Sequence, residues 1–338
     1  MQAPDRVVVL ESFGEPHGQT NPYSIQLFDS FPEEVEALHF SWRLALLGSY
    51  EVFHLHWPEV KVRGTSSVRA LLRGSAFLVL LLRIRVGRKA LVRTLHDSAP
   101  HERPNALQRW VIGLSERWTT LWIVLNSHTR PPTDAPSVFA PIGHYRDRLE
   151  DDVRPDPVPG RIVHFGLIRP YKGVEALVDA FGSLEDQTLR LRIVGTIQDD
   201  ALRSSILSAA DTDARISVED RYLPERELVG EVCTAELVVL PFARITNSSS
   251  LLFALSLGRP VLAPAAPSIV EVASEVGADW VLTYEGPLRP EVISDALERV
   301  RRSAARRGSP DLSSRDWPAI GRIHADAFRR ARDIARHS

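Results

Sequence analysis

"RIVHFGLIRPYKGVEALVDAF", residues 161–181, decides the fold. An apolar run of strand length stops at Gly166, where a glycine permits a tight turn. Two cations follow, Arg169 and Lys172, and a helical pattern opens at Gly173. Strand, turn and helix in that order begin a βαβ unit. The start of a helix offers unpaired N–H groups and a positive dipole end, which favour anions. An arginine beside it can fork two oxygens at once. Either cation alone would be an ordinary solvated side chain. Behind a glycine at a strand end, the pair suits a diphosphate.

Working outward, "AELVVLP" (235–241) is a second strand, and "NSSSLLFALSLGRP" (247–260) follows it as a helix that opens on Asn247, Ser248, Ser249 and Ser250. Serine and asparagine are the preferred N-caps, so capping accounts for this stretch taken alone. Placed in the same sheet as Arg169 and Lys172, the hydroxyls and N–H groups can converge with the cations on one diphosphate. Further strand-like runs are "LRLRIVG" (189–195), "ARISVED" (214–220), "RPVLAP" (259–264) and "DWVLTY" (279–284). An earlier set comprises "RVVVL" (6–10), "VFHLH" (52–56), "ALVRTLH" (90–96) and "LWIVLNS" (121–127). Helical patterns lie between them, which implies two parallel sheets covered on both faces. The expected fold class is therefore α/β: two Rossmann-like domains with an interdomain cleft lined by strand-end loops.

The seam is "EDDVRPDPVPG" (150–160), an acidic run with three prolines. The expected division is residues 1–150 as one Rossmann-like domain, 151–160 as linker and 161–315 as a second. Residues 316–338 form an Arg-rich helix that crosses back to the first domain. At 338 residues, two domains is the natural expectation. A content of 44% hydrophobic and 25% charged residues is that of a globular protein, and a net charge of −2 points to no polyanionic partner. The single cysteine, Cys233, excludes an internal disulfide and fits a reducing compartment. No apolar run approaches the ~20 residues of a membrane span.

With these segments in place, "FGLIRPYKGVEALVDAF", "VGTIQDD", "DRYLPERELVGEVCTAELVVLPF" and "ALSLGRPVLAP" resemble the donor domain of GT-B glycosyltransferases, of the family 4 type and its exopolysaccharide- and capsule-assembly relatives. The resemblance spans the chain and is strongest from Arg161 to Pro267. It implies that Arg169, Lys172 and Gly173, with Asn247 to Ser250, hold a nucleotide diphosphate. Arg221, Tyr222 and Leu223 would then lie beside the base. It implies a hexosyl transfer from GDP-mannose or a UDP-sugar to a saccharide or polyprenyl-linked acceptor, with no cofactor and no metal. One departure stands out: the family's two glutamates, for sugar and for ribose, fall at Phe253 and Ile245. Two other readings stay open: a sugar-nucleotide epimerase of this fold, and a non-catalytic binding or scaffold protein, for which the missing glutamates are the best argument.

In the first domain, "VFHLHWPE" ends on His54, His56, Trp57 and Glu59, and "TLHDSAPHE" carries His96, Asp97, His101 and Glu102. The spacings match no tight metal set, so no metal is expected. Acceptor activation points instead to Asp97 and Glu59 as bases and to His96, which resembles a family histidine that faces the donor sugar. His56, Trp57, His101 and Glu102 are further cleft residues. So are Gly14, Gly18 and Asn21 of "FGEPHGQTNPY" (13–23), and His144 and Tyr145 of "FAPIGHYRD" (139–147). Lys61 to Arg93 holds nine Lys or Arg and no acid around "AFLVLLL". Such a stretch suits either a core-facing helix with a solvated face or peripheral contact with an anionic membrane. Nucleic acid is not expected, since no recognition motif is present. The expected location is cytoplasmic, at the inner face of the cell membrane.

Overall fold

The computed structural model describes residues 6–18, 20–96, 106–149, 154–303 and 308–337. Two compact units divide the chain: Met1–Gly143 with Arg315–Ser338, and His144–Ser314. The first contains β1 (Val7–Glu11), α1 (Pro22–Asp29), β2 (Val35–Leu38), α2 (Trp42–Leu47), β3 (Val52–Leu55), α3 (Pro58–Val62), α4 (Ser67–Val86), β4 (Ala90–Leu95), α5 (Ala106–Arg117), β5 (Leu121–Val124) and β6 (Ser137–Phe139). Its strands are all parallel, in the order β2-β1-β3-β4-β5-β6.

The second unit contains β7 (Arg161–Phe165), α6 (Val174–Gly182), β8 (Arg190–Val194), α7 (Asp200–Thr212), β9 (Ile216–Glu219), α8 (Glu225–Cys233), β10 (Leu237–Val239), α9 (Ser249–Ser256), β11 (Val261–Pro264), α10 (Pro267–Val276), β12 (Val281–Tyr284) and α11 (Pro290–Ser303). Its parallel sheet runs β12-β11-β10-β7-β8-β9. That is the doubly wound order of nucleotide-binding folds, and it reverses between β7 and β10. The first sheet reverses between β1 and β3. At each reversal the flanking loops part, which opens a crevice at the carboxyl ends of the strands.

Val7, Val9, Val52, Val92, Leu121 and Ile123 present one face of the first sheet to α12 (Trp317–His337) through Phe328 and Ala331. Phe53, Leu55 and Leu91 present the other face to α4 through Phe77, Leu80 and Leu81. The C-terminal helix thus completes the core of the unit in which the chain begins. The division falls after Gly143, earlier than the proline-rich linker at 151–160. On the second unit's side of that division, the Tyr145 backbone N–H donates to Ser256 Oγ of α9 at 2.9 Å. Residues 150–153 of the expected linker lie outside the described residues.

α12 approaches the end of α1 so closely that a Cβ on Gly321 would lie 1.9 Å from the backbone oxygen of Ser30. Backbone cannot give way as a flexible side chain would. Gly321→Ala is therefore expected to cost about 1–3 kcal/mol of stability as α12 is pushed off. Urea unfolding measures it, and an unchanged midpoint would show that α12 docks by another surface.

Candidate active site

The carboxyl ends of β1, β3 and β4, neighbours at the first unit's reversal, bring together one acid and three histidines. Glu11 pairs in register with His54. Residues two apart on a strand share a face, so His56 follows His54 onto the side of Glu11. His54 Nδ1 lies 2.9 Å from Glu11 Oε1, and His56 Nε2 lies 3.2 Å from Glu11 Oε2. His56 Nδ1 is 2.9 Å from His96 Nε2, and His54 Nε2 is 2.8 Å from Thr94 Oγ1. A carboxylate only accepts hydrogen bonds, and that fixes the tautomers. His54 carries its proton on Nδ1 and accepts from Thr94. His56 carries its proton on Nε2, so its Nδ1 accepts from the Nε2–H of His96.

Glu11, His54 and His56 are fully or almost fully buried. Burial pushes the Glu11 carboxyl up, against the pull of His56. It pushes His54 and His96 down to about 3 and His56 well below its usual range. His324 of α12 adds a fourth imidazole, its ring centre 5.7 Å from that of His54. Its Nδ1–H donates to the Ile320 carbonyl at 2.9 Å, and burial lowers it to about 3. Trp57 stacks on His96 with ring centres 4.2 Å apart, and Tyr23 meets the same ring edge-on at 5.2 Å. Glu11, His54 and His56 offer ligand-type atoms within 4.8 Å of one another. All of these atoms already satisfy one another, and we read the set as a proton network.

Of the sequence-selected residues, His56, Trp57 and His96 meet here. Asn21 acts one step removed: its Oδ1 accepts the Tyr23 N–H at 3.0 Å and caps α1, which carries Tyr23 against His96. Gly14 faces the Phe40 carbonyl, while Gly18 is exposed with open space where a Cβ would stand. Glu59 sits on α3, where its charge acts on Arg93. Asp97, His101 and Glu102 lie outside the described residues. Glu11, Thr94 and His324 were not selected from the sequence. A buried apolar strand ending in an acid beside an H-x-H strand was the available signal for Glu11.

In the second unit the β7 turn behaves as its glycines require. Gly166 and Gly173 have φ of 107° and 69°. A Cβ on Gly173 would stand 2.1 Å from the Pro241 carbonyl oxygen, so the start of α6 presses on the end of β10. A Cβ on Gly166 would meet Ser250 Oγ at 3.7 Å, which sets the start of α9 against this turn. Arg169 Nε donates to Gln198 Oε1 at 2.8 Å, and the Lys172 ammonium lies 4.3 Å over the Phe242 ring. Ser248 caps α9 by accepting the Leu251 N–H at 3.0 Å, Asn247 precedes it, and Ser249 hydrogen-bonds the Tyr145 side chain. Two cations and the open end of a helix thus share one reversal.

Arg221 pairs with Glu219 at 2.7 Å and Glu227 at 2.6 Å, Tyr222 beside it is exposed and Leu223 buried. Phe253 is buried between Tyr145 and Phe165, with ring centres 5.7 and 5.5 Å away. Ile245 lines a cavity of ≈ 350 Å³ with Phe242, Arg244, Tyr284 and Glu285. His144 and Tyr145, expected in the first domain, belong to the second unit. His144 Nδ1 accepts the Arg146 N–H at 3.2 Å, and Tyr145 is tied to α9 at both its backbone and its side chain.

Two doubly wound units, the second with cations and a helix start at its reversal, form the architecture of the GT-B class. Residues 159–301 match the family model described as "Glycosyl transferases group 1". Over 328 residues, 95% of this chain and 92% of the other, the sequence is 44% identical to the GDP-mannose:glycolipid 4-beta-D-mannosyltransferase of Xanthomonas campestris pv. campestris. The fold matches Anabaena HepE, solved with UDP-glucose, at a TM-score of 0.57 and 14% identity over 98% of this chain and 99% of that one. It also matches AviGT4, a glycosyltransferase of avilamycin A biosynthesis, at 0.56 and 14% over 96% and 98%. The chain belongs to the group 1 glycosyltransferases and is a glycosyltransferase.

The lowered histidines set an acid limit on stability. The folded state holds His54, His96 and His324 neutral to about 3, whereas unfolded chains take the proton near 6.5. Their contribution is complete above 6.5 and is lost as pH falls toward 3. Glu11, with its carboxyl raised, works in the opposite sense. Melting temperature is expected to drop between about pH 6.5 and 4.5, and less steeply in His324→Phe. Equal slopes for both proteins would contradict this.

Proposed function

We propose that the chain transfers a mannosyl unit from GDP-mannose to a saccharide carried on a lipid. The carrying observation is the β7 reversal, where Arg169, Lys172 and the Gly173 turn meet the Asn247–Ser250 start of α9. The Xanthomonas relative, named for GDP-mannose and a glycolipid, favours the guanine nucleotide over a UDP-sugar. Arg169 and Lys172 neutralise the diphosphate as the bond to mannose breaks, the preorganised electrostatics that dominate many enzymes. This reading needs no metal. Arg221, Tyr222 and Leu223 flank the base. With Phe253 packed in the core and Ile245 apolar, the ribose and sugar hydroxyls are recognised by other groups. GDP-mannose holds its sugar in α linkage, so the β product in the relative's name requires inversion and a base for the acceptor hydroxyl. His96, Asp97 and Glu59 are the groups put forward on the acceptor side.

α4 supports contact with a lipid surface at the cytoplasmic side of the membrane. Phe77, Leu80, Leu81 and Ile84 turn to the core, yet Val68, Leu71, Leu72, Val79, Leu82 and Val86 are exposed. Their spacing places them on one stripe opposite the core. Arg69 and Arg85 flank that stripe, the pattern of a helix that lies in an anionic interface. No described helix is long and apolar enough to cross a membrane.

Calorimetry with GDP tests the donor site. Arg169→Ala and Lys172→Ala are each expected to weaken binding by about 10-fold or more, the scale of a charge-assisted hydrogen bond. Unchanged affinity in both would remove the assignment. Co-sedimentation with phosphatidylglycerol vesicles tests α4. The Leu71→Glu/Leu72→Glu variant is expected to stay in the supernatant with GDP affinity intact, and undiminished sedimentation would contradict the membrane face.

A further inference from the structure

Among the described residues, the molecule buries one carboxylate at the first unit's reversal and joins it to the strand-end histidine through another imidazole. We propose that His96 takes the acceptor's proton and that Glu11 is its final resting place, reached through His56. The inference rests on the mannosyl-transfer reading above and adds to it the route and destination of the proton.

The atoms are ordered for it. A lone pair of the acceptor oxygen forms the bond to C1 of mannose as the bond from C1 to the phosphate oxygen breaks, and that electron pair leaves with GDP. The acceptor's proton passes to His96 Nδ1. The proton of His96 Nε2 crosses 2.9 Å to His56 Nδ1, and the proton of His56 Nε2 crosses 3.2 Å to Glu11 Oε2. Each imidazole accepts one proton and gives one, so both finish neutral with tautomers exchanged, and Glu11 finishes as the neutral acid. The return of the proton to water along the same path restores the starting state.

Three features favour this destination. No imidazolium persists at the end of the relay, and these buried rings resist one. Burial raises the Glu11 carboxyl, which makes it a stronger base than a solvated glutamate. His54 occupies Oε1 and is fixed by Thr94 at its other nitrogen, so it cannot take the proton without becoming charged. Among the described residues, the titratable groups around Glu11 are His54 on β3, His56 just after it, His39 after β2, His96 just after β4 and, beyond His54, His324 on α12. Among these Glu11 is the sole carboxylate, and a proton gained there leaves the cluster neutral. Glu11 touches no substrate in this scheme; it acts through His96.

Two measurements on the full chain test it. In single-turnover transfer from GDP-mannose to the glycolipid fraction used by the Xanthomonas relative, Glu11→Gln is expected to slow the step by about 10²–10⁴-fold, the reach of general-base catalysis, with the KM for GDP-mannose unchanged. The rise of rate with pH should vanish in Glu11→Gln and return in Glu11→Asp. A Glu11→Gln enzyme that keeps the wild-type pH profile, at whatever rate, overturns the proposal and leaves Asp97 or Glu59 as the base. In ¹⁵N-histidine NMR spectra of the unsubstituted protein, His56 and His96 should switch together from Nε2–H to Nδ1–H as pH falls, without passing through imidazolium. Imidazolium signals from either ring overturn the relay. A tautomer switch in a protein that transfers no mannose would support the relay and reject the mannosyl-transfer reading instead.

Discussion

A parallel sheet that winds in both directions must reverse once, and the reversal leaves a crevice that no crossover helix fills. Both units obey this constraint, the first between β1 and β3 and the second between β7 and β10. The chemistry follows from what stands there. Strand ends are held in place by the ladder more firmly than loops are, so side chains placed on them need little reorganisation. Glu11 and His54 face each other because β1 and β3 are paired in that register. The β7 turn meets α9 because β10, which leads to α9, is the next strand.

The two crevices solve opposite electrostatic problems. In the proposed reaction the second holds a dianionic diphosphate and lets it leave more negative than it was when bound. It supplies cations and a helix start, with no carboxylate on the β7 turn or in the first turn of α9. In the proposed relay the first accepts a proton without stranding a charge. It surrounds one carboxylate with imidazoles held neutral by burial and closes it off with Trp57, Tyr23 and Phe328. Phe253 is buried against the rings of Tyr145 and Phe165, a setting in which a glutamate would need a hydrogen-bond partner to offset its burial.

Much of the fold was legible because most strands are apolar runs that stop at polar residues. β2 and β6 were not: they are sheet edges, β6 is only three residues long, and neither forms an apolar run. The domain seam was read from prolines at 151–160, whereas the compact units part after Gly143, next to the point where Tyr145 is bonded to α9. Arg169, Lys172 and Ser250 were readable because glycine and strand context make a local motif. Glu11 was not, because a single acid at a strand end looks like an ordinary terminator until the pairing of β1 with β3 is known. His324 was still further from reach, since it enters from the far end of the chain on a helix that packs under the first sheet.

The proposed reaction is an inverting mannosyl transfer. Incubation with GDP-mannose and a lipid-linked oligosaccharide, followed by mass spectrometry and anomeric NMR of the product, tests it directly. The expected product has gained one mannose in β linkage, with GDP released in equal amount. An α-linked product would contradict inversion and the need for a base, and intact GDP-mannose would contradict the transfer itself.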